Sequence, residues 1–302
     1  MYRSLRRAAA IVASVTTLIA VPLGRAGASA SAPSCIVSLS PTATDTLFAI
    51  GAGRQVAAVD KDAHLPSRGL PSIRIDALNP SVEAILSVCR PTPAHPSRRP
   101  DLVIISYDAN KIKERLSALG VRVVEQDAPT NLAGAVAQMK ALGALTGHAV
   151  AAARLATSIS TTIRRDVASL PPHAGKTLRV YYEIDPTGYS LTSTTFVGSL
   201  LKMLGVVNIA DAQSTSADAG YPQLNPEYVV AANPQLILLD DGVSPNSLAA
   251  RPGFSGVAAV TSHHVVEVNQ NIGSEWGVRL GNLMNGLTKA VAAAYDDPSL
   301  WG

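Results

Sequence analysis

Charge and aromatic rings are both scarce here: 16% of the 302 residues are Asp, Glu, Lys or Arg, and 4% are Phe, Trp or Tyr. With 47% apolar residues, that balance excludes a chain disordered throughout and leaves ample material for a core. A basic surplus is missing too. The formal charge of +3 comes from Arg3, Arg6, Arg7 and Arg25, in a first stretch of 32 residues that holds no acid. With those four set aside, the 25 basic residues fall to 21 against 22 acidic ones, which argues against a nucleic-acid partner. No G-x-S-x-G, P-loop or H-E-x-x-H sequence occurs, so the common hydrolase, nucleotide-binding and zinc-protease signatures are absent. Gly51-Ala52-Gly53-Arg54-Gln55-Val56 begins like a dinucleotide fingerprint. It lacks the last glycine and stands between a helix and the strand after it, the reverse of the required context. The histidines (His64, His95, His148, His173 and the adjacent His263-His264) fall on five separate segments, so neither a metal set nor a cofactor is expected. His64 alone sits on a loop placed to face a ligand.

Long apolar runs are also few. One extends from Ala8 to Leu23, shorter than the ~20 residues a membrane span needs. Arg3, Arg6 and Arg7 precede it and Ala28-Ser29-Ala30-Ser31-Ala32 follows, the layout of an export signal over residues 1–32. An uncleaved anchor is the alternative. Either way the rest of the chain is expected outside the cytoplasm, at the periplasm or cell envelope. There are two cysteines, Cys35 just before the first expected strand and Cys89 at the end of a helix starting near Ser81. In a parallel α/β layer, strand starts and helix ends share an edge, so a disulfide fits. A lipid anchor on Cys35 after signal cleavage is the competing reading, although Ala32-Pro33-Ser34 is a poor match for such a site.

What the chain does contain is a duplicated module. Asn79-Pro80-Ser81-Val82-Glu83-Ala84-Ile85-Leu86 leads, past an insertion at 92–99, into Pro100-Asp101-Leu102-Val103-Ile104-Ile105. Asn225-Pro226-Glu227-Tyr228-Val229-Val230 leads directly into Pro234-Gln235-Leu236-Ile237-Leu238-Leu239. Each copy has a helix-start signal, a Glu in the first turn and a step into a buried strand. Two such copies imply two lobes, at 33–146 and 171–302. The run 147–170 has helical periodicity and is expected to be one long helix joining them. Strands and helices alternate in both halves, predicting an α/β fold of two Rossmann-like lobes with mostly parallel sheets. Ligands of such sheets bind beyond the carboxyl ends of the strands. Further expectations are a helix over 44–50 after a Ser40-Pro41 turn, irregular chain over 60–75, a loop over 208–221 and a closing helix from Trp276 to about Tyr295.

Tyr107, Tyr189, Tyr221 and Trp276 fall on loops at the expected cleft edge and offer stacking area for a bulky ligand. Arg279, close after Trp276, is placed to meet an anionic group. Glu83 and Glu227, one per lobe, suit a partner with matching two-fold symmetry through charge-assisted contacts.

Ile36-Val37-Ser38-Leu39-Ser40-Pro41, the two Glu modules, Pro222-Gln223-Leu224 and the joining helix together resemble the substrate-binding proteins of ABC importers for vitamin B12, haem and ferric siderophores. Tyr181-Tyr182-Glu183, the stretch from Gly205 to Asp211 and that from Ile272 to Arg279 resemble an actinobacterial branch. The resemblance implies the helical-backbone periplasmic-binding fold, no enzymatic activity, and a metal chelate or corrinoid held between the lobes of a monomer. Pro41, Tyr189, Tyr221 and Trp276 are then ligand-site residues, and Glu83 and Glu227 dock on arginines of a permease dimer. The stretch Ile73-Arg74-Ile75-Asp76-Ala77-Leu78 lacks an aromatic common in B12 binders, which tilts the expectation towards a ferric siderophore or haem. Glu275 stands where that branch tends to carry Arg. The alternatives are a metal-binding enzyme or chaperone, or a ligand sensor, on the same scaffold.

Overall fold

A computed structural model describes residues 31–64, 69, 71–91, 93, 96–173, 175–269 and 275–301. The expected export segment (but for its last two residues), His95, part of the 92–99 insertion and Ile272 lie outside the described residues. Among the described residues, no helix is long and apolar enough to cross a membrane.

The first sheet contains β1 (Ile36–Leu39), β2 (Val56–Asp60), β3 (Arg74–Ile75), β4 (Leu102–Ile105) and β5 (Arg122–Glu125), in the order β3-β2-β1-β4-β5. The second contains β6 (Arg179–Glu183), β7 (Val207–Asn208), β8 (Leu236–Leu239) and β9 (Val265–Glu267), in the order β7-β6-β8-β9. Every pairing in both sheets is parallel. The orders match strand for strand if β7, β6, β8 and β9 stand for β2, β1, β4 and β5. The duplication therefore extends to topology, and β3 is an added edge strand.

Parallel sheets are covered on both faces, so their strands read as unbroken apolar runs. In β4, Leu102 and Ile104 enter one core, while Val103 and Ile105 enter another on the opposite face. In β8, Leu236 and Leu238 alternate with Ile237 and Leu239 in the same way. The covering helices of the first lobe are α1 (Pro41–Ala49), α2 (Val82–Leu86) and α3 (Ile112–Ala118). Those of the second include α6 (Phe196–Met203), α7 (Pro226–Ala232), α8 (Pro245–Ala249), α9 (Ala258–Thr261) and α10 (Leu280–Asp296).

α4 (Leu132–Thr146) and α5 (Ala149–Ala168) carry the connection. The long helix expected from the sequence is α5, and α4 shares its role. Leu142 of α4 and Ala152 of α5 belong to a first-lobe core, whereas Ala135, Met139, Ile159 and Ile163 belong to the large second-lobe core. Close approach of the two helices depends on Gly143, where a Cβ would stand 2.3 Å from that of Ala152.

The structure differs from the sequence expectation at four places. α1 begins at Pro41 because Ser40 Oγ accepts the Ala43 N–H (3.2 Å) and proline is preorganised for the first helical position. α10 begins at Leu280 because Glu275–Arg279 is engaged by the first lobe. The 60–75 and 208–221 stretches yield the short strands β3 and, with Val207, β7.

Cys35 and Cys89 form a disulfide with their Cα atoms 6.1 Å apart, tying the start of β1 to the chain after α2. The bridge spans 54 positions, so Cys89→Ser is expected to remove roughly 4 kcal/mol of stability in the chain-entropy model. Urea denaturation with and without reductant checks this: reductant should destabilise the native chain and leave the variant unmoved.

Candidate functional site

The carboxyl ends of the first-lobe strands open into a cavity of about 370 Å³. Ser40, Pro41 and Thr42 follow β1, Asp62 and His64 follow β2, and Ser106 follows β4; Glu275 and Trp276, just ahead of α10, complete the lining. Trp276 belongs to the junction of the lobes. Its ring packs against the second-lobe core, and its Nε1–H donates to Gln138 Oε1 of α4 (2.7 Å). The Gln138 amide is itself oriented, since its Nε2 donates to the Asp127 carbonyl (2.7 Å). Gly277 allows the segment to press on α1, because a Cβ there would meet Thr42 Cγ2 at 3.1 Å and the Thr42 carbonyl at 3.2 Å.

Beneath the cavity lies a cluster of ionisable groups. Arg279 Nη2 contacts Asp45 Oδ2 of α1 at 3.1 Å and also Glu275 Oε1, four residues back. Asp45 and Glu275 are 5% and 9% exposed. Burial pushes both carboxyls up, and the Arg279 guanidinium draws both back down. Oε2 of Glu275 and Nε of Arg279 are buried without a hydrogen-bond partner.

Of the ligand residues expected from the sequence, Pro41, His64 and Trp276 meet in this cavity. Tyr107, next to Ser106, is 67% exposed and outside the lining. Tyr189 and Tyr221 are about half exposed on second-lobe loops, with Tyr189 held by an antiparallel bridge to Gln223. Arg279 was expected to meet an anionic group; its guanidinium instead contacts two carboxylates of the chain itself. Asp62, Ser106, Asp45 and Glu275 were not among the site residues expected from the sequence. The Glu275–Arg279 spacing was a visible sign of an ion pair; the Asp45 partner, remote in sequence, had no such sign. Among the described residues, no three His, Cys, Asp or Glu side chains gather to hold a metal ion.

A larger cavity, about 620 Å³ and mainly apolar, lies in the second lobe between Pro186–Gly188, α7 and Arg251–Phe254. None of the expected ligand residues lines it, but Glu227 does. Glu83 and Glu227 occupy the same position in their helices, the second residue after caps by Ser81 and Asn225. Both are exposed. Each helix feeds the strand beside its lobe's first strand, β4 beside β1 and β8 beside β6. The Glu83 carboxyl lies below its usual range through its own backbone N–H and the Ser81 hydroxyl (3.1 Å).

Two parallel sheets bridged by helices, with a cavity beyond the strand ends, define a two-lobed binding scaffold. Residues 36–272 match the model of the periplasmic binding protein family, and the chain belongs to that family. An uncharacterized ABC transporter substrate-binding lipoprotein of Bacillus subtilis is 25% identical over 274 residues, 88% of this chain and 81% of its own length. A cobalamin-binding protein of Halobacterium salinarum is 28% identical over 255 residues, covering 80% of this chain and 64% of that protein. Among solved structures, a possible iron-binding periplasmic solute-binding protein of Staphylococcus epidermidis aligns with a TM-score of 0.73 at 22% identity, over 86% of this chain and 98% of its own.

Proposed function

We propose that this protein is an extracytoplasmic, non-enzymatic solute-binding protein that captures a ferric siderophore, haem or corrinoid and delivers it to an ABC permease. The observation that carries this reading is the cavity at the strand carboxyl ends, walled by the Trp276 indole at the lobe junction. That is where open parallel sheets receive ligands, and a flat ring suits a broad, partly apolar chelate. Membership of a binding family and a cobalamin-binding relative support it. Glu83 and Glu227 serve as permease contacts, one per lobe, and Tyr107, Tyr189 and Tyr221 supply further ring surface as the lobes settle on the ligand.

Fluorescence titration tests the capture step. Trp301, the other tryptophan, stacks on Tyr295 with centroids 5.6 Å apart and does not line the cavity, so the ligand-dependent change should come from Trp276. Cyanocobalamin, haemin, and hydroxamate and catecholate ferric siderophores form the panel. One of them is expected to shift the emission of the native protein and to leave Trp276→Phe nearly silent. A flat response to all of them, with calorimetry also flat, overturns the assignment.

A further inference from the structure

The larger cavity, about 620 Å³, lies on the face of the second sheet that looks away from α4 and α5. Tyr181 and Phe254, both buried, form its floor. Its walls are fixed. Gly188 has a φ of +92°, and a Cβ there would stand 2.7 Å from the Leu224 carbonyl, so the Pro186–Gly188 wall lies directly against the chain entering α7. Gln223 Nε2 donates to the Thr187 carbonyl at 3.0 Å, and the Leu224 N–H donates to that of Gly188 at 2.9 Å. Across the cavity, Arg251 is clamped to both oxygens of Glu183 at 2.7 Å each. A preformed apolar hollow gives up little ordering entropy when it is filled. The charge of Arg251 is matched by Glu183, whereas Glu227, also in the lining, is an exposed carboxylate. The hollow is therefore an apolar seat beside one exposed negative charge.

The equivalent place in the first lobe is built differently. There Ile85 of α2 shares a core with Ile112 and Leu116 of α3, the helix that follows β4. In the second lobe the chain after β8 makes α8 and then the turn Arg251–Phe254, and the cavity lies between that turn and α7. We infer that this cavity is a socket for the permease, seating an apolar side chain of the loop whose basic residue meets Glu227. The socket rests on the proposed docking role of Glu227 and gives that role a second component. An apolar residue beside a basic one is the chemistry that the hollow and its acid together complement. A partner with two equivalent loops then meets unlike sites, a packed helix pair behind Glu83 and an open seat beside Glu227, so the second lobe fixes which way round the protein docks.

Filling the hollow tests this. The two native cysteines are joined, so Ala231→Cys or Thr187→Cys places one reactive thiol on either wall, each at an exposed position. Methyl, benzyl and pyrenylmethyl adducts then fill the cavity by steps in protein that has already folded. Docking to the cognate permease in nanodiscs is titrated for each. Benzyl and larger adducts are expected to weaken docking about tenfold or more, and the methyl adduct little. The same reagents on Lys202→Cys, in α6 at the opposite face of the sheet, should change nothing. In about 1 M salt, where the Debye length is about 3 Å, charge contacts are screened and the socket should carry the docking that remains, so the benzyl adduct should remove it. Docking indifferent to bulky adducts at both positions while Glu227→Lys abolishes it, or an adduct effect that vanishes in high salt, overturns the socket and leaves the docking role standing. Loss of affinity for cyanocobalamin, haemin or ferrioxamine B in the adducts would place the cargo here and overturn the socket too. If adducts and Glu227→Lys are both without effect, the socket and the docking role fall together.

Discussion

Reversing both acids at once, Glu83→Lys with Glu227→Lys, is expected to abolish uptake by cells carrying the cognate permease while leaving the ligand Kd within about twofold. The two side chains are exposed, stand at the same position of equivalent helices and sit one on each lobe. A docked carboxylate–guanidinium pair that loses one partner costs about 2–5 kcal/mol, and a reversal adds repulsion. Each single variant should therefore lose at least tenfold in uptake, and the double variant should fall to background. Neither residue lines the 370 Å³ cavity, which is why affinity should hold. Glu227 does line the larger cavity, so a large affinity loss confined to Glu227→Lys would place the ligand there instead. Folding is not expected to interfere, because an acid in a first helical turn contributes only about 0.3–1 kcal/mol. Transport assays paired with calorimetry on the same variants decide the matter; undiminished uptake would sink the docking role.

The helices α2 and α7 were legible because their signals are local. Ser81 and Asn225 cap helices that begin within two residues, and apolar runs follow. β4 and β8 were equally plain, since a strand buried on both faces cannot hide among polar residues. The short edge strands were not legible. β3 exists because Val59 and Asp60 pair with Arg74 and Ile75, and because Arg74 Nη1 donates to the carbonyls of Asp60 (3.2 Å) and Ala63 (2.9 Å). β7 depends on Asn208, whose side chain donates to the Leu191 carbonyl at 2.6 Å. These are contacts between distant positions, and no window of sequence contains them.

The same division runs through the site. Pro41, His64 and Trp276 could be placed because each lies just beyond a strand or just ahead of a helix, and topology brings those ends together. The Asp45–Glu275–Arg279 cluster could not, because Asp45 reads as one more polar residue on a short helix until the chain returns and buries it. The aromatic loops show the converse limit. Tyr107, Tyr189 and Tyr221 lie on loops at the expected edges, but which way a loop turns its ring depends on packing that periodicity does not encode.

A stability effect as large as that of losing the disulfide is expected in the second lobe, at Arg251→Met. Glu183 ends β6 fully buried, and both its oxygens are held by Arg251, Nη1 to Oε2 and Nη2 to Oε1, each at 2.7 Å. The Tyr181 hydroxyl adds a third bond to Oε2 at 2.8 Å. Removing the guanidinium strands a carboxylate in the core, which costs about 3–5 kcal/mol. Burial already raises the Glu183 carboxyl against the pull of Arg251, and without Arg251 it rises further. An acid raised in the folded state keeps its proton at pH values where the unfolded chain has lost it, so stability falls as pH rises through that window. The variant should thus be most damaged at pH 8 and recover part of the loss at pH 5, while the native protein changes less. Arg251→Met with Glu183→Gln should regain much of the deficit at pH 8, because no charge is then stranded. Glu183 also bridges to Ser190 at the base of the loop that carries Tyr189, so this loop should show the earliest loss of amide-exchange protection in Arg251→Met. Denaturant titrations at the two pH values test the cost. A loss below about 1 kcal/mol with no pH dependence would mean that water reaches Glu183 once the arginine is gone, and the pair would then be an exposed rim contact rather than the anchor of that loop.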